Sequence, residues 1–260
     1  MNVAEFGFGA VEAELVRILF LMVRWSAAFL VAPLFGGVAV PVQLRLVLAG
    51  ALAAFTSAWV PLTPPPAALS LAALLAVAGE VVIGLAYGFA LQLFFAAPVI
   101  AAEIVAGSMG VAVATSVDPA SGAQSGVLGH YFTVLLTLVF LGMGGHLLWL
   151  RLVLDSFVLL PPGQAWFGGE RALHVTGLAA EMFATALAIC LPVTLALLLV
   201  QIATGVLSRA APALNLFALG LPAGVLAGLA ALLATAPILQ DRLLDLSILA
   251  IEGIGGLATL

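Results

Sequence analysis

The sequence predicts an all-α integral membrane protein, one membrane unit built of long kinked helices and helical hairpins. Three observations predict it. Of 260 residues, 65% are hydrophobic and 7% charged, with a mean hydropathy of +1.31, whereas soluble domains are about 45–50% apolar and about 25% charged. Apolar runs long enough to cross a bilayer recur along the whole chain and leave no room for a separate soluble domain. A single mid-chain stretch, Gly107 to Gln124 (GSMGVAVATSVDPASGAQ), interrupts them with small and polar residues.

Charge and cysteine usage exclude several classes. All seven basic residues are Arg, against twelve acids, for a net charge of -5; no basic face exists to neutralise the phosphates of a nucleic acid. Cys190 is the lone cysteine, so neither an internal disulfide nor a cysteine metal cluster can form. The N-terminal MNVAEFGFGAVEAE is acidic where a signal peptide would be basic, and the first apolar run is therefore expected to be a retained helix.

In order, the apolar windows fall at 15–35, 46–62, 69–97, 99–116, 127–160, 177–207 and 213–238. Gly36 to Pro41 joins the first two, and Pro61 to Pro66 makes a stiff, uncharged turn. From Ser70 to Ser116 the chain is helix-compatible almost without pause, about 70 Å at about 1.5 Å per residue, against a hydrocarbon core of about 30 Å. Pro98 is the expected kink in it. Asp118-Pro119 then predicts a break, because an Asp before Pro is pushed out of the helical region; helix should stop near Val117 and resume near Val127. The pattern alone leaves two readings of this break open, an exposed loop and a re-entrant element at membrane depth, where non-helical backbone needs protein or water around it. Pro161 to Thr176 is the longest polar connection, and a tail after Gln240 carries Asp241, Arg242, Asp245 and Glu252. Arg45 and Arg209 in alternate connections favour a cytoplasmic side for both, with Arg171 opposing.

Charges inside apolar runs are costly and mark candidate sites; here they are Arg24, Glu80, Glu103, Arg151, Asp155 and Glu181. Arg17 and Arg24 lie two helical turns apart and share a face, and Arg151 and Asp155 are an i, i+4 pair. Joining neighbouring helices is the expected role, ahead of a proton or ion pathway. The three histidines, His130, His146 and His174, stand in no HExxH pattern, so no metal site is expected. His146 follows a glycine run, Gly142-Met143-Gly144-Gly145, that permits a helix break. Gly107-Ser108-Met109-Gly110 is not GxSxG, no P-loop appears, and the serines read as helix glue and caps. The pairs Gly84/Gly88, Gly122/Gly126 and the series Gly220/Gly224/Gly228 have the spacing of close helix packing in lipid.

These residues carry a family resemblance over nearly the whole chain. Gly107-Ser108-Met109-Gly110 leading to Asp118-Pro119-Ala120-Ser121-Gly122-Ala123-Gln124 is one block, and Ala32-Pro33-Leu34-Phe35-Gly36 with Val40-Pro41 and Arg45-Leu46 is another. Gly145-His146-Leu147, Ser156-Phe157 and Leu160-Pro161 follow, then Leu207 to Phe217 (LSRAAPALNLF) and Gly220-Leu221-Pro222. In this order and spacing they resemble the FliR family, the R component of the flagellar type III secretion export gate. The chain departs from it at Leu221, where Phe is common, and at Gly144-Gly145-His146-Leu147, where an Asn-Gly-His-His type sequence is frequent.

The resemblance implies a structural and gating subunit of the export channel, not an enzyme, with no cofactor and no metal. It implies residues 1–176 similar to a P subunit and 177–260 similar to a Q subunit, as a hairpin and tail. It makes 107–124 a plug in the lumen, with Gly107, Met109, Gly110, Ser116, Asp118, Pro119, Ser121, Gly122 and Gln124 as its gating residues. Ser208, Arg209, Pro212, Asn215, Gly220 and Pro222 become the hairpin turn and subunit-packing residues. The implied partners are P and Q subunits, the B-type switch subunit, unfolded flagellar proteins in transit and membrane lipid, in the inner membrane at the flagellar basal body. Two alternatives differ in kind: the injectisome T subunit, told apart by neighbouring genes, and a small-solute secondary transporter with a midplane site at Pro98 and Pro119, which would require internal repeats.

Overall fold

A computed structural model describes residues 8–37, 40–60, 70–110, 126–163, 168–210 and 216–259. The described residues form seven helices: α1 Phe8–Val31, α2 Val42–Trp59, α3 Leu71–Ser108, α4 Val127–Gly142, α5 Gly145–Leu159, α6 Gly169–Ala210 and α7 Leu216–Thr259. Four of them contain stretches apolar and long enough to cross a membrane, in α2, α3, α6 and α7, and α4 with α5 adds a fifth if the two count as one broken span. The protein is thus an all-α membrane protein. α1 is not among the four, because Glu12, Glu14, Arg17 and Arg24 punctuate it.

Several expected boundaries shift. α3 runs unbroken through Pro98; proline deletes one backbone donor, and in a long apolar helix the remaining ladder carries the chain across it. The windows on either side of Pro98 therefore share one helix, which ends at Ser108; the expected stop near Val117 lies outside the described residues. The reason for the end at Ser108 is local: Gly110 has φ +80°, the left-handed conformation that closes helices and that glycine adopts freely. Helix resumes at Val127 as expected. The window 127–160 divides at Gly144, φ +73°, within the glycine run. α6 begins at Gly169 and absorbs the second half of the predicted polar connection, with Glu170 in its first turn, where a carboxylate suits the helix dipole. The predicted tail is also helix: α7 continues through Pro237 and past Asp241 to Thr259.

The chain divides into two compact units, Met1–Leu93 with Gly144–Leu178 and Ala250–Leu260, and Phe94–Met143 with Ala179–Leu249. In the first, α1 packs on the N-terminal part of α3 at backbone distance. A Cβ at Gly84 would collide with the Arg24 carbonyl and lie 2.8 Å from Ala27 Cβ; one at Gly88 would lie 2.5 Å from the Ala28 carbonyl oxygen. The Gly84/Gly88 pair thus does what its spacing predicts. Around it sits an aromatic core of Trp25, Phe29, Phe35, Trp149 and Phe157. Buried indole N–H groups need acceptors, and both have them: Trp25 Nε1 donates to Thr56 Oγ1 at 3.1 Å, and Trp149 Nε1 to the Tyr87 carbonyl at 3.2 Å.

The second unit packs the end of α3 with α4 and the long middle portions of α6 and α7. Phe95 meets Phe140 edge-on at 5.5 Å, and Val105, Phe132, Leu136, Ile189, Val193 and Leu197 are buried. The other faces of α6 and α7 carry exposed large apolar side chains such as Leu199 and Leu233, as helices in contact with lipid or with further membrane chains require.

Candidate functional site

In the second unit, the end of α3 anchors both roots of the segment 111–125. At the first root, Ser108 Oγ donates to the Ile104 carbonyl at 2.9 Å, and the Ser108 carbonyl accepts from Gln201 Nε2 at 2.8 Å. Met109 follows, buried at 3% exposure, then Gly110 in its left-handed turn. At the second root, the backbone N–H of Gly126 donates to Glu103 Oε1 at 2.8 Å. Gly126 is the N-cap of α4 and makes no side-chain cap of its own; Glu103 supplies a carboxylate where the helix start presents unpaired donors. A half-open cavity of about 280 Å³ adjoins the first root, bordered by residues 107–110, where α3 ends, and by α6 and α7.

Of the predicted plug residues, Gly107, Met109 and Gly110 come together here. Ser116, Asp118, Pro119, Ser121, Gly122 and Gln124 lie outside the described residues. Gly107 is open, with nothing within 4 Å of an added Cβ. Of the predicted turn residues, Ser208 and Arg209 close α6, Arg209 being the basic residue of its last turn, favourable against the helix dipole. Pro212 and Asn215 lie outside the described residues. Gly220 and Pro222, named with them for hairpin turn and subunit packing, are inside α7. Of the glycine series on α7, Gly224 and Gly228 receive Met109, whereas Gly220 faces open space.

The predicted intramembrane charges separate by environment. In the first unit Arg24 and Glu80 are fully buried, at 0% and 1% exposure. Arg24 Nε and Nη2 donate to Glu80 Oε2 and Oε1 at 2.7 and 3.1 Å, Nη1 to Ser156 Oγ at 2.9 Å, and Nη2 to the Leu160 carbonyl at 2.9 Å. Its guanidinium lies 4.1 Å from the centre of the Phe157 ring, and Gly163 N–H donates to Glu80 Oε1 at 3.3 Å. One charge pair thus joins α1, α3 and the end of α5. Arg17, on the same face of α1, donates to the Ser57 and Val60 carbonyls at the C-terminal end of α2. Arg151 and Asp155 meet at 3.6 Å on an exposed face, and Glu181 is exposed. Sequence reasoning missed Ser156, Leu160 and Gly163 as partners of the buried pair. Only the nearby Ser156-Phe157 and Leu160-Pro161 blocks hinted at them.

No group of three His, Cys, Asp or Glu side chains among the described residues could hold a metal ion. His174 donates through Nε2 to the Gly253 carbonyl at 2.8 Å, and His130 is exposed.

Long apolar helices, a buried charge pair that ties them, and a helix end that roots a small-residue segment define a polytopic helical membrane protein. The chain belongs to the bacterial export proteins, family 1, whose model matches residues 15–247. It is 33% identical over 218 residues to the flagellar biosynthetic protein FliR of Escherichia coli K12, covering 84% of this chain and 83% of that protein. It is 32% identical over 207 residues to FliR of Bacillus subtilis 168, covering 78% of this chain and 80% of that protein. FliR of Aquifex aeolicus VF5 is 28% identical over 231 residues, covering 88% of each.

Proposed function

We propose that this chain is the R subunit of the flagellar type III export gate, a non-enzymatic component of the channel through which unfolded flagellar proteins leave the cytoplasm. The observation that carries this reading is the family match over residues 15–247, joined by FliR relatives that align over most of both chains. Its partners are then P and Q subunits and the B-type switch subunit, in the inner membrane at the flagellar basal body. Residues 1–176 take the P-like place and 177–260 the Q-like place.

Gly107 to Gln124 is the movable closure of the channel. What supports this is composition and rooting together. Small side chains fill a narrow lumen and give way to a passing polypeptide, because conduction needs weak contacts; meanwhile both roots are held on the end of α3 by Gln201 and Glu103. Co-purification of the full chain with P and Q subunits tests the assignment. Deleting residues 110–122 tests the closure: the membrane is expected to become leaky to ions and small solutes with the assembly intact. Unchanged permeability of an intact assembly would reject the plug.

A further inference from the structure

Met109 stands one residue beyond the end of α3 and yet is 3% exposed. Its cover comes from α7. A Cβ at Gly228 would fall 2.5, 2.6 and 2.7 Å from Met109 Cγ, Sδ and Cε, and a Cβ at Gly224 would fall 3.0 Å from the Met109 carbonyl oxygen. Gly224 and Gly228 are one helical turn apart, so α7 carries a notch that exists only because both lack side chains, and Met109 occupies it. The cavity of about 280 Å³ lies directly beside, with Gly107, Met109, Leu197, Gln201, Gly220 and Gly224 among its walls. An unbranched, flexible thioether side chain therefore has both a fitted seat and adjoining space to leave it for.

We propose that Met109 is a latch: seated in the Gly224/Gly228 notch it holds the end of α3 and Gly110 in the resting arrangement, and it leaves the notch when the channel opens. The assignment rests on the closure reading given above and adds to it the residue and the receptor that set the resting position. Gln201, which holds the Ser108 carbonyl, is the neighbouring fixed point about which Met109 moves. Removing the seated side chain, or filling its seat, shifts the equilibrium away from rest by about tenfold or more, the scale expected for losing a buried methionine contact.

The test uses the full chain in cells that carry the rest of the export apparatus. Met109→Cys with Gly228→Cys, in a Cys190→Ala background that removes the one native thiol, brings two sulfurs to bonding distance only while the latch is seated. Under reducing conditions the variant is expected to export. On oxidation with copper phenanthroline it is expected to crosslink and lose export by at least about tenfold, with recovery in dithiothreitol. Failure to crosslink in the assembled apparatus, or undiminished export once crosslinked, overturns the latch.

Single variants secure the result if the cysteine pair does not export when reduced. Met109→Ala and Gly228→Ala are each expected to raise ion leak about tenfold, and the double variant to leak no more than Met109→Ala alone. Tight membranes with both single variants overturn the latch. Deletion of 110–122 separates the two ideas: a leaky deletion beside tight point variants rejects the latch and keeps the closure, and a tight deletion rejects both.

Discussion

Arg24 and Glu80, 56 residues apart in the chain, meet as a two-point ion pair with Nε to Oε2 at 2.7 Å and Nη2 to Oε1 at 3.1 Å, both side chains out of solvent. Burying two charges is costly, and here the remaining valences are filled: the guanidinium also reaches Ser156 and Leu160, and the carboxylate also accepts from Gly163. A pair satisfied in this way fixes which faces of α1, α3 and α5 meet, a role in register more than in net stability.

Removing one partner should therefore cost far more than removing both. Glu80→Leu or Arg24→Leu leaves an uncompensated buried charge and is expected to lower stability by about 3–5 kcal/mol. The Arg24→Leu/Glu80→Leu double variant is expected to recover most of that. Thermal unfolding of the detergent-solubilised chain, read as retained monomer, measures both. Equal losses in the single and double variants would show that the charges are not coupled.

At Gly84 the expected effect is steric. Gly84→Ala puts a methyl group into the backbone of α1, against the Arg24 carbonyl and 3.0 Å from Ala28 N, contacts that cannot yield without moving a helix. A cost of about 1–3 kcal/mol is expected. Gly107→Ala, where an added Cβ meets nothing within 4 Å, is the matched control and should not destabilise. The same thermal assay decides it, and a Gly107→Ala loss as large as that of Gly84→Ala would contradict the packing.

Part of this arrangement is legible in the sequence. Helical spacing alone puts Arg17 and Arg24 on one face, pairs Arg151 with Asp155, and marks Gly84 and Gly88 as a packing surface, because those are properties of a single helix. The Arg24 partner is not legible: spacing on α1 cannot choose among Glu80, Glu103, Asp155 and Glu181, which depends on how three helices meet. Nor is the end of α3, since Asp118-Pro119 is the stronger written signal, while Gly110 is one of 27 glycines and nothing in its spacing marks it as the one that closes the helix. The helix past Gln240 is not legible for a related reason. Proline and charge lower local helix preference, and tertiary contacts outweigh that preference here.

Glu103 offers a check on the second root of 111–125. Its carboxylate accepts from the Gly126 N–H at the start of α4, and an N-terminal acceptor of this kind contributes about 1 kcal/mol. Glu103→Ala should speed amide exchange at Gly126 about fivefold. Glu103→Gln, which keeps an acceptor oxygen without the charge, should fall between the two. Exchange at Gly126 indifferent to both substitutions would mean that Glu103 does not anchor this root.

The last turns of α7 make a comparable case with an internal control. His174 Nε2 lies 2.8 Å from the Gly253 carbonyl; a carbonyl only accepts, so Nε2 carries the proton and the bond ties the first turns of α6 to the last turns of α7 within the first unit. The ring lies across Gly256, where a Cβ would come 2.8 Å from His174 Cε1 and 2.9 Å from Nε2. Gly256→Ala must therefore displace an aromatic ring and its hydrogen bond together, and is expected to cost about 1–3 kcal/mol locally. Gly255→Ala, one residue away, meets only Leu152 Cδ2 at 3.7 Å, an ordinary contact, and should be neutral or slightly stabilising through helix propensity. Limited proteolysis at residues 250–259 reads the difference: Gly256→Ala should be cut faster than the parent, by about fivefold or more if fraying carries the loss, and Gly255→Ala no faster. His174→Phe, which fills the same space without the donor, should show faster cleavage too, because the Gly253 carbonyl loses this partner while the packing stays. If His174→Phe were as resistant as the parent, ring packing rather than the hydrogen bond would be what holds the end of α7.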